Sequence, residues 1–307
     1  MKGEQELSPA GFGDQAALGR NAAWRVGLAL LLIVGGSLVA VRLLAEAYER
    51  LGLEAALLRL AEARGPTSLR IELFAFAFLM FSVIVMLPLM RLVLPWLHRR
   101  PWRSFLTAKP RFDWMLFALS ASAMLLLALL SLGLTLLLSP QELRFSPNWG
   151  EVAAFTPLAL LTLPLQCLTE EIFFRGYIFQ LIGRLTRLVA VRLLVPALLF
   201  TAAHSANPEA QYDFLWASAD YLMLALYLGA ISIKANGLEA SLGAHLAINV
   251  NGAVLVGSTV SVSPGPTLWL SGAPDFRALA VATLVLIALH YGLVFVLAPK
   301  FFTKAKE

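Results

Sequence analysis

The chain is 307 residues long, 59% hydrophobic and only 14% charged, with a formal net charge of +5, and its mean hydropathy is +0.76. Ordinary soluble domains carry about 25% charged residues, so this composition excludes a soluble globular enzyme and points to a bilayer. The basic excess does not describe a nucleic-acid surface, because Lys and Arg sit at the ends of apolar runs and no basic stripe is interleaved with aromatics.

Residues 1–22 are polar and lack the apolar core of a signal peptide, which predicts a disordered cytoplasmic N-terminus followed by a retained anchor. Runs of roughly 17 to 25 apolar residues cross the hydrocarbon core as helices. Such runs fall at 23–44, 71–94, 114–138, 152–168, 188–204, 221–233, 238–256 and 278–298. The fourth meets no breaker stronger than Gly176 and Gly183, so one long helix is expected to continue to Leu185. Segment 45–68 alternates charges with leucines at helical spacing and predicts an interfacial amphipathic helix.

Orientation follows from the Lys and Arg. The loop 98–113 carries Arg99, Arg100, Arg103, Lys109 and Arg111, the turn 183–187 carries Arg184 and Arg187, and the tail carries Lys300, Lys304 and Lys306. All are expected on the cytoplasmic side, with both termini. The predicted fold is all-α, a polytopic integral membrane helical bundle of about eight transmembrane helices. It divides into the N-terminus 1–22, two spans with the linker and basic loop over 23–111, an intramembrane core over 112–256, and a loop, last span and tail over 257–307.

A charge at the centre of a membrane helix costs roughly 2.5 to 3.5 kcal/mol on insertion scales, so polar residues inside the spans demand an explanation. They are Glu170, Glu171 and Arg175 in the fourth span, His204 at the end of the fifth, and His245 with Asn249 in the seventh. Glu171 and Arg175 are i and i+4, the favourable order for an ion pair. Glu170 is rotated about 100° away and is left to act elsewhere as a base. The turn at Thr186 and Arg187 lies midway between Glu170 and His204, so a hairpin returns both to one level, about 25 Å from the turn. His245 lies only about 12 Å beyond Gly237, and a fourth and fifth helix hairpin protruding into the cytoplasm reconciles the two depths. His245 and Asn249 share one helical face.

Amide hydrolysis needs an activated water, a proton for the leaving amine and donors for the oxyanion. Glu170 with His204 can activate the water, and His245 with Asn249 can supply the donors. Alternatively the glutamate and histidines can bind zinc, although no HExxH is present. The only cysteine, Cys167, excludes an intrachain disulfide and a cysteine-ligated zinc site and behaves as a small apolar residue. His290 fits a packing role, and Pro157, Pro164 and Pro196 are expected to kink their helices.

At these residues the sequence resembles the CAAX prenyl proteases and bacteriocin-processing proteins, the Abi or CPBP intramembrane proteases. Three pieces occur in order: "EEIFFR" from Glu170 to Arg175, "FTAAH" from Phe200 to His204, and "HLAIN" from His245 to Asn249. The resemblance covers about 112–256. It implies an intramembrane endopeptidase in which Glu170 and His204 activate water, His245 and Asn249 form the oxyanion site, and Glu171, Arg175 and Phe200 support them. It implies no metal ligand and no cofactor, with zinc as the mechanistic alternative. The implied partners are the lipid bilayer and a membrane-bound or tail-tagged protein or peptide precursor, with no nucleic acid, in a bacterial inner membrane. Competing readings are a catalytically silent scaffold or immunity protein and a proton-coupled transporter. The intact residue set argues against the first, and the absence of an inverted repeat against the second.

Overall fold

The computed structural model describes residues 11–62, 68–145, 147–263 and 265–298. In chain order its helices are α1 (Ala23–Arg50), α2 (Glu54–Glu62), α3 (Leu69–His98), α4 (Trp114–Leu138), α5 (Trp149–Leu185), α6 (Val189–Ala203), α7 (Pro208–Tyr212), α8 (Phe214–Ala235), α9 (Glu239–Val250) and α10 (Phe276–Leu297). Among the described residues six of them, α1, α3, α4, α5, α8 and α10, are long and apolar enough to cross a membrane. The chain is therefore a polytopic integral membrane helical protein, as its composition predicts. Of the eight expected spans, the fifth and seventh are shorter: α6 has 15 residues, and α9 has 12 before continuing as the π-helical turn Asn251–Leu255. The expected long fourth helix is α5. Segment 45–68 contributes the end of α1 and all of α2, while its residues 63–67 and the tail 299–307 lie outside the described residues.

Several helices, α4, α8 and α10 among them, start where a polar side chain caps them. Asp113 accepts from Leu116 N at 3.0 Å, Asp213 from Trp216 N at 3.2 Å, and Asp275 from Arg277 N at 2.9 Å. Each cap satisfies an amide that the first helical turn leaves unpaired. Arg99 and Asn236 take left-handed conformations at φ 50° and 57° and stop α3 and α8. The prolines at 157, 164 and 196 are accommodated inside α5 and α6.

The N-terminus departs from expectation. Residues 1–10 lie outside the described residues, but Phe12–Leu18 form a 3-10 helix rather than a disordered stretch. The reason is that Phe12 is buried in a core cluster with Tyr177, Phe179 and Leu238. Phe12 N donates to Asn236 Oδ1 at 2.7 Å, and Arg192 pairs with Asp14 at 3.1 Å. His98 ties the same segment to α5, with Nδ1 3.0 Å from Arg20 O and Nε2 3.0 Å from Tyr177 Oη.

These contacts fix the depth of the interior. Gly176 is the point where the basic loop crosses α5, since a Cβ there would lie 2.3 Å from Phe105 O. The turn before α9 lies level with the same loop: Leu238 N donates to Leu106 O at 2.8 Å and Ala108 N to Asn236 O at 3.1 Å. By helical rise, Glu170 is about 9 Å and His245 about 12 Å beyond that level, so the two depths agree. The rest of α5 and the start of α6 run past the loop as a projecting hairpin, sheathed by Phe12–Leu18.

Helix α9 is enclosed by α4, α5 and α8. Its contact with α4 is close because Gly243 lacks a side chain; a Cβ there would stand 2.4 Å from Phe117 O. At the opposite end of the bundle a small sheet joins β1 (Leu143–Phe145), β2 (Val256–Ser258) and β3 (Trp269–Ser271) in the order β1-β3-β2. Leu143 pairs with Ser271 antiparallel, and Val256 pairs with Trp269 parallel.

Candidate active site

Helices α5 and α9 run antiparallel and meet in two rungs one turn apart. In the first, His245 Nε2 stands 3.6 Å from Glu170 Oε2. In the second, Asn249 Nδ2 donates to Gln166 Oε1 at 2.9 Å. Gln166 and Glu170 share a face by i,i+4 spacing, as do His245 and Asn249. Glu170 Oε2 is buried and has no hydrogen-bond partner among the described residues.

Glu171 joins the two helices more tightly. Its Oε1 accepts from Arg175 Nη1 at 2.9 Å and lies 2.9 Å from His245 Nδ1. Arg175 Nη2 donates to Ala225 O of α8 at 3.1 Å, and its guanidinium lies 5.0 Å over the Phe200 ring. Glu171 is 0% and Arg175 2% exposed, so the pair is withdrawn from solvent and depends on these hydrogen bonds for its stability. Directly after Glu171, α5 widens into a π-helical turn over Ile172–Ile178, a distortion often found at functional sites.

His204 closes α6. Its Nδ1 lies 2.8 Å from Phe200 O, and because a carbonyl only accepts, the proton of this contact sits on Nδ1; in the neutral imidazole that arrangement leaves the lone pair on Nε2. The imidazole is held between Phe200, stacked at 4.2 Å, and Tyr221, tilted at 4.8 Å. Phe200 also stands edge-on to His245 at 6.3 Å, which makes it the wall between the two histidines.

The expected site residues thus fall into two connected groups. Glu170, Glu171, Arg175 and His245 form one polar cluster, which Asn249 extends through Gln166. His204 is linked to that cluster through the Phe200 ring. Among the described residues no hydrogen bond joins it to Glu170, whose Oε2 has no partner.

Sequence reasoning missed Gln166, Tyr221 and Asn207. The signal for Gln166 was its position one turn before Glu170, matching Asn249 one turn after His245. Tyr221 accepts from Asn207 Nδ2 at 3.1 Å, an arrangement that no local spacing announces. Nearby, Glu209 accepts from Val262 N at 2.8 Å, and burial holds its carboxyl above the usual carboxylate range. His290 has the expected packing role: Nδ1 lies 2.5 Å from Tyr227 Oη and Nε2 lies 2.9 Å from Ser120 O. Cys167 is fully buried. Among the described residues no three His, Cys, Asp or Glu side chains gather into a set that can hold a metal ion.

Residues 152–251 match the family described as type II CAAX prenyl endopeptidase Rce1-like. The matched stretch contains all three motifs, so the resemblance drawn from them holds there; α4 lies outside it. The uncharacterized protein YyaK of Bacillus subtilis (strain 168) is 31% identical to this chain over 153 residues, covering 50% of the chain and 51% of YyaK. The match therefore spans about half the length of that relative. No solved structure matches the chain.

Proposed function

We propose that the chain is an intramembrane endopeptidase that hydrolyses a peptide bond of a membrane-associated or tail-tagged protein or peptide precursor. The observation that carries this reading is Glu170 Oε2, a buried carboxylate oxygen without a hydrogen-bond partner among the described residues, 3.6 Å from His245 Nε2. A buried acceptor of that kind calls for a donor from outside the protein, and water is the donor a peptidase requires.

In this reading Glu170 and the Nε2 lone pair of His204 take the proton of the water, whose oxygen attacks the substrate carbonyl carbon. The carbonyl oxygen becomes an oxyanion and is held by His245 and Asn249. Nδ1 of His245 is committed to Glu171, so Nε2 donates when the ring carries both protons. The carbon–nitrogen bond then breaks and the proton removed from water passes to the leaving amine. Arg175, Glu171 and Phe200 hold these groups in register. The basic loop 98–113 and the basic tail support cytoplasmic placement of both termini, and the location proposed with the family resemblance is a bacterial inner membrane.

The test is cleavage of a library of single-span membrane peptides by purified protein in detergent, followed by mass spectrometry. Wild type is expected to yield defined products, and Glu170→Gln the same products at a rate about 10²- to 10⁴-fold lower. Equal cleavage by both would remove Glu170 as the base, and pH-gradient-driven flux without peptide products would favour the transporter.

A further inference from the structure

We infer that Gln166 is a positioning residue of the proposed peptidase site, acting through Asn249; the inference rests on the peptidase reading. Gln166 is 6% exposed and occupies the rung next to Glu170 and His245. The two ends of an asparagine amide are nearly identical in shape, but one donates and the other accepts. An oxyanion is stabilised by the NH2 end and repelled by the carbonyl end, so the orientation of Asn249 decides whether it helps or opposes the reaction.

Gln166 settles that orientation. Its Oε1 only accepts, and it takes the Asn249 Nδ2 at 2.9 Å, which keeps the donor end at the seam between α5 and α9. Cys167 Sγ, 3.3 Å from the same Oε1, steadies the acceptor from its own helix. The amide has a second N–H. Asn249 Nδ2 lies 3.4 Å from Cys167 Sγ, and sulfur is a weak acceptor, so an oxyanion displaces it readily. Gln166 thus holds one hydrogen of the amide and leaves the other to be claimed in the transition state. Its removal frees the amide to turn and present Oδ1 instead.

The experiment is a cycle of wild type, Gln166→Met, Asn249→Ala and the double variant. Their kcat and KM are measured on the fastest-cleaved member of the single-span peptide library. Gln166→Met is expected to lower kcat about 10- to 100-fold, the scale of a small misplacement of a reacting group, with KM within about twofold. In the Asn249→Ala background it is expected to lower kcat no further, because its partner is already gone. An unchanged kcat in Gln166→Met, or losses that multiply in the double variant, overturns the inference and points to a purely structural role. If Gln166→Met does not fold, Gln166→Ala, which leaves space rather than added bulk, takes its place in the cycle. Absence of cleavage by wild type, or full cleavage by Glu170→Gln, is a different pattern, which removes the peptidase reading and this inference with it.

Discussion

His245 Nδ1 lies 2.9 Å from Glu171 Oε1, the same oxygen that receives Arg175 at 2.9 Å. One carboxylate therefore fixes the arginine of its own helix and the histidine of the facing one, and the ion pair doubles as the hinge pin of the α5–α9 contact.

Arg175→Met is expected to destabilise the protein by roughly 3 to 5 kcal/mol, because it strands the Glu171 charge in the interior. Thermal unfolding in detergent measures this. Combining it with Glu171→Gln is expected to recover part of the loss, since no uncompensated charge remains. A melting temperature equal to wild type in Arg175→Met would show that the buried pair does not hold the helices.

Glu170→Gln keeps the shape of the side chain and removes its basicity. Cleavage is expected to fall about 10²- to 10⁴-fold, the range of a lost general base, while the melting temperature stays near that of wild type. A collapse of the fold instead would assign Glu170 a structural role.

Chelators are expected to leave cleavage unchanged, since water is activated by side chains in the proposed mechanism. Loss of activity on chelation, restored by added zinc, would replace that mechanism with the metal alternative.

Gly243→Val introduces a Cβ at a point only 2.4 Å from Phe117 O. Helices α4 and α9 must separate, at about 1 to 3 kcal/mol for an overpacked contact. Unfolding temperature and cleavage rate are both expected to drop. A variant as stable as wild type would mean that α9 shifts freely against α4.

Glu209 supplies a pH dependence. Burial holds its carboxyl above the ordinary 4.5 in the folded protein, so the folded state binds this proton more tightly than the unfolded state does. Its contribution is fully present below the ordinary carboxylate value and is lost as pH rises through the raised one. The wild-type melting temperature should decline across that window, and Glu209→Gln should flatten the decline. Parallel pH profiles for the two proteins would contradict the assignment.

The long apolar helices were legible because the bilayer sets a minimum length that soluble folding does not. Helix α9 was less so, since Glu239–Val250 is surrounded by protein and its boundaries answer to packing rather than to lipid. The N-terminal 3-10 helix was hidden because it is seated by one aromatic, Phe12, with the small Ala16, in a stretch too short to show an apolar pattern. Within the site, the Glu171–Arg175 contact followed from spacing on one helix. The Gln166–Asn249 contact needed the register between two helices, which no single helix encodes. For Glu170 and His204, hairpin symmetry predicted a common depth but said nothing about the direction in which each side chain turns. The structure stacks the Phe200 ring on His204.

The crossing of the basic loop over Gly176 makes the molecule a ruler. Measured from that crossing, the carboxylate of the site is about 9 Å in, and an extended chain advances about 3.3 to 3.6 Å per residue. On the proposed peptidase reading, an extended substrate chain entering from that level would span the distance to Glu170 with about three residues, which favours a bond close to the end of a membrane anchor over one at the middle of a continuous transmembrane helix.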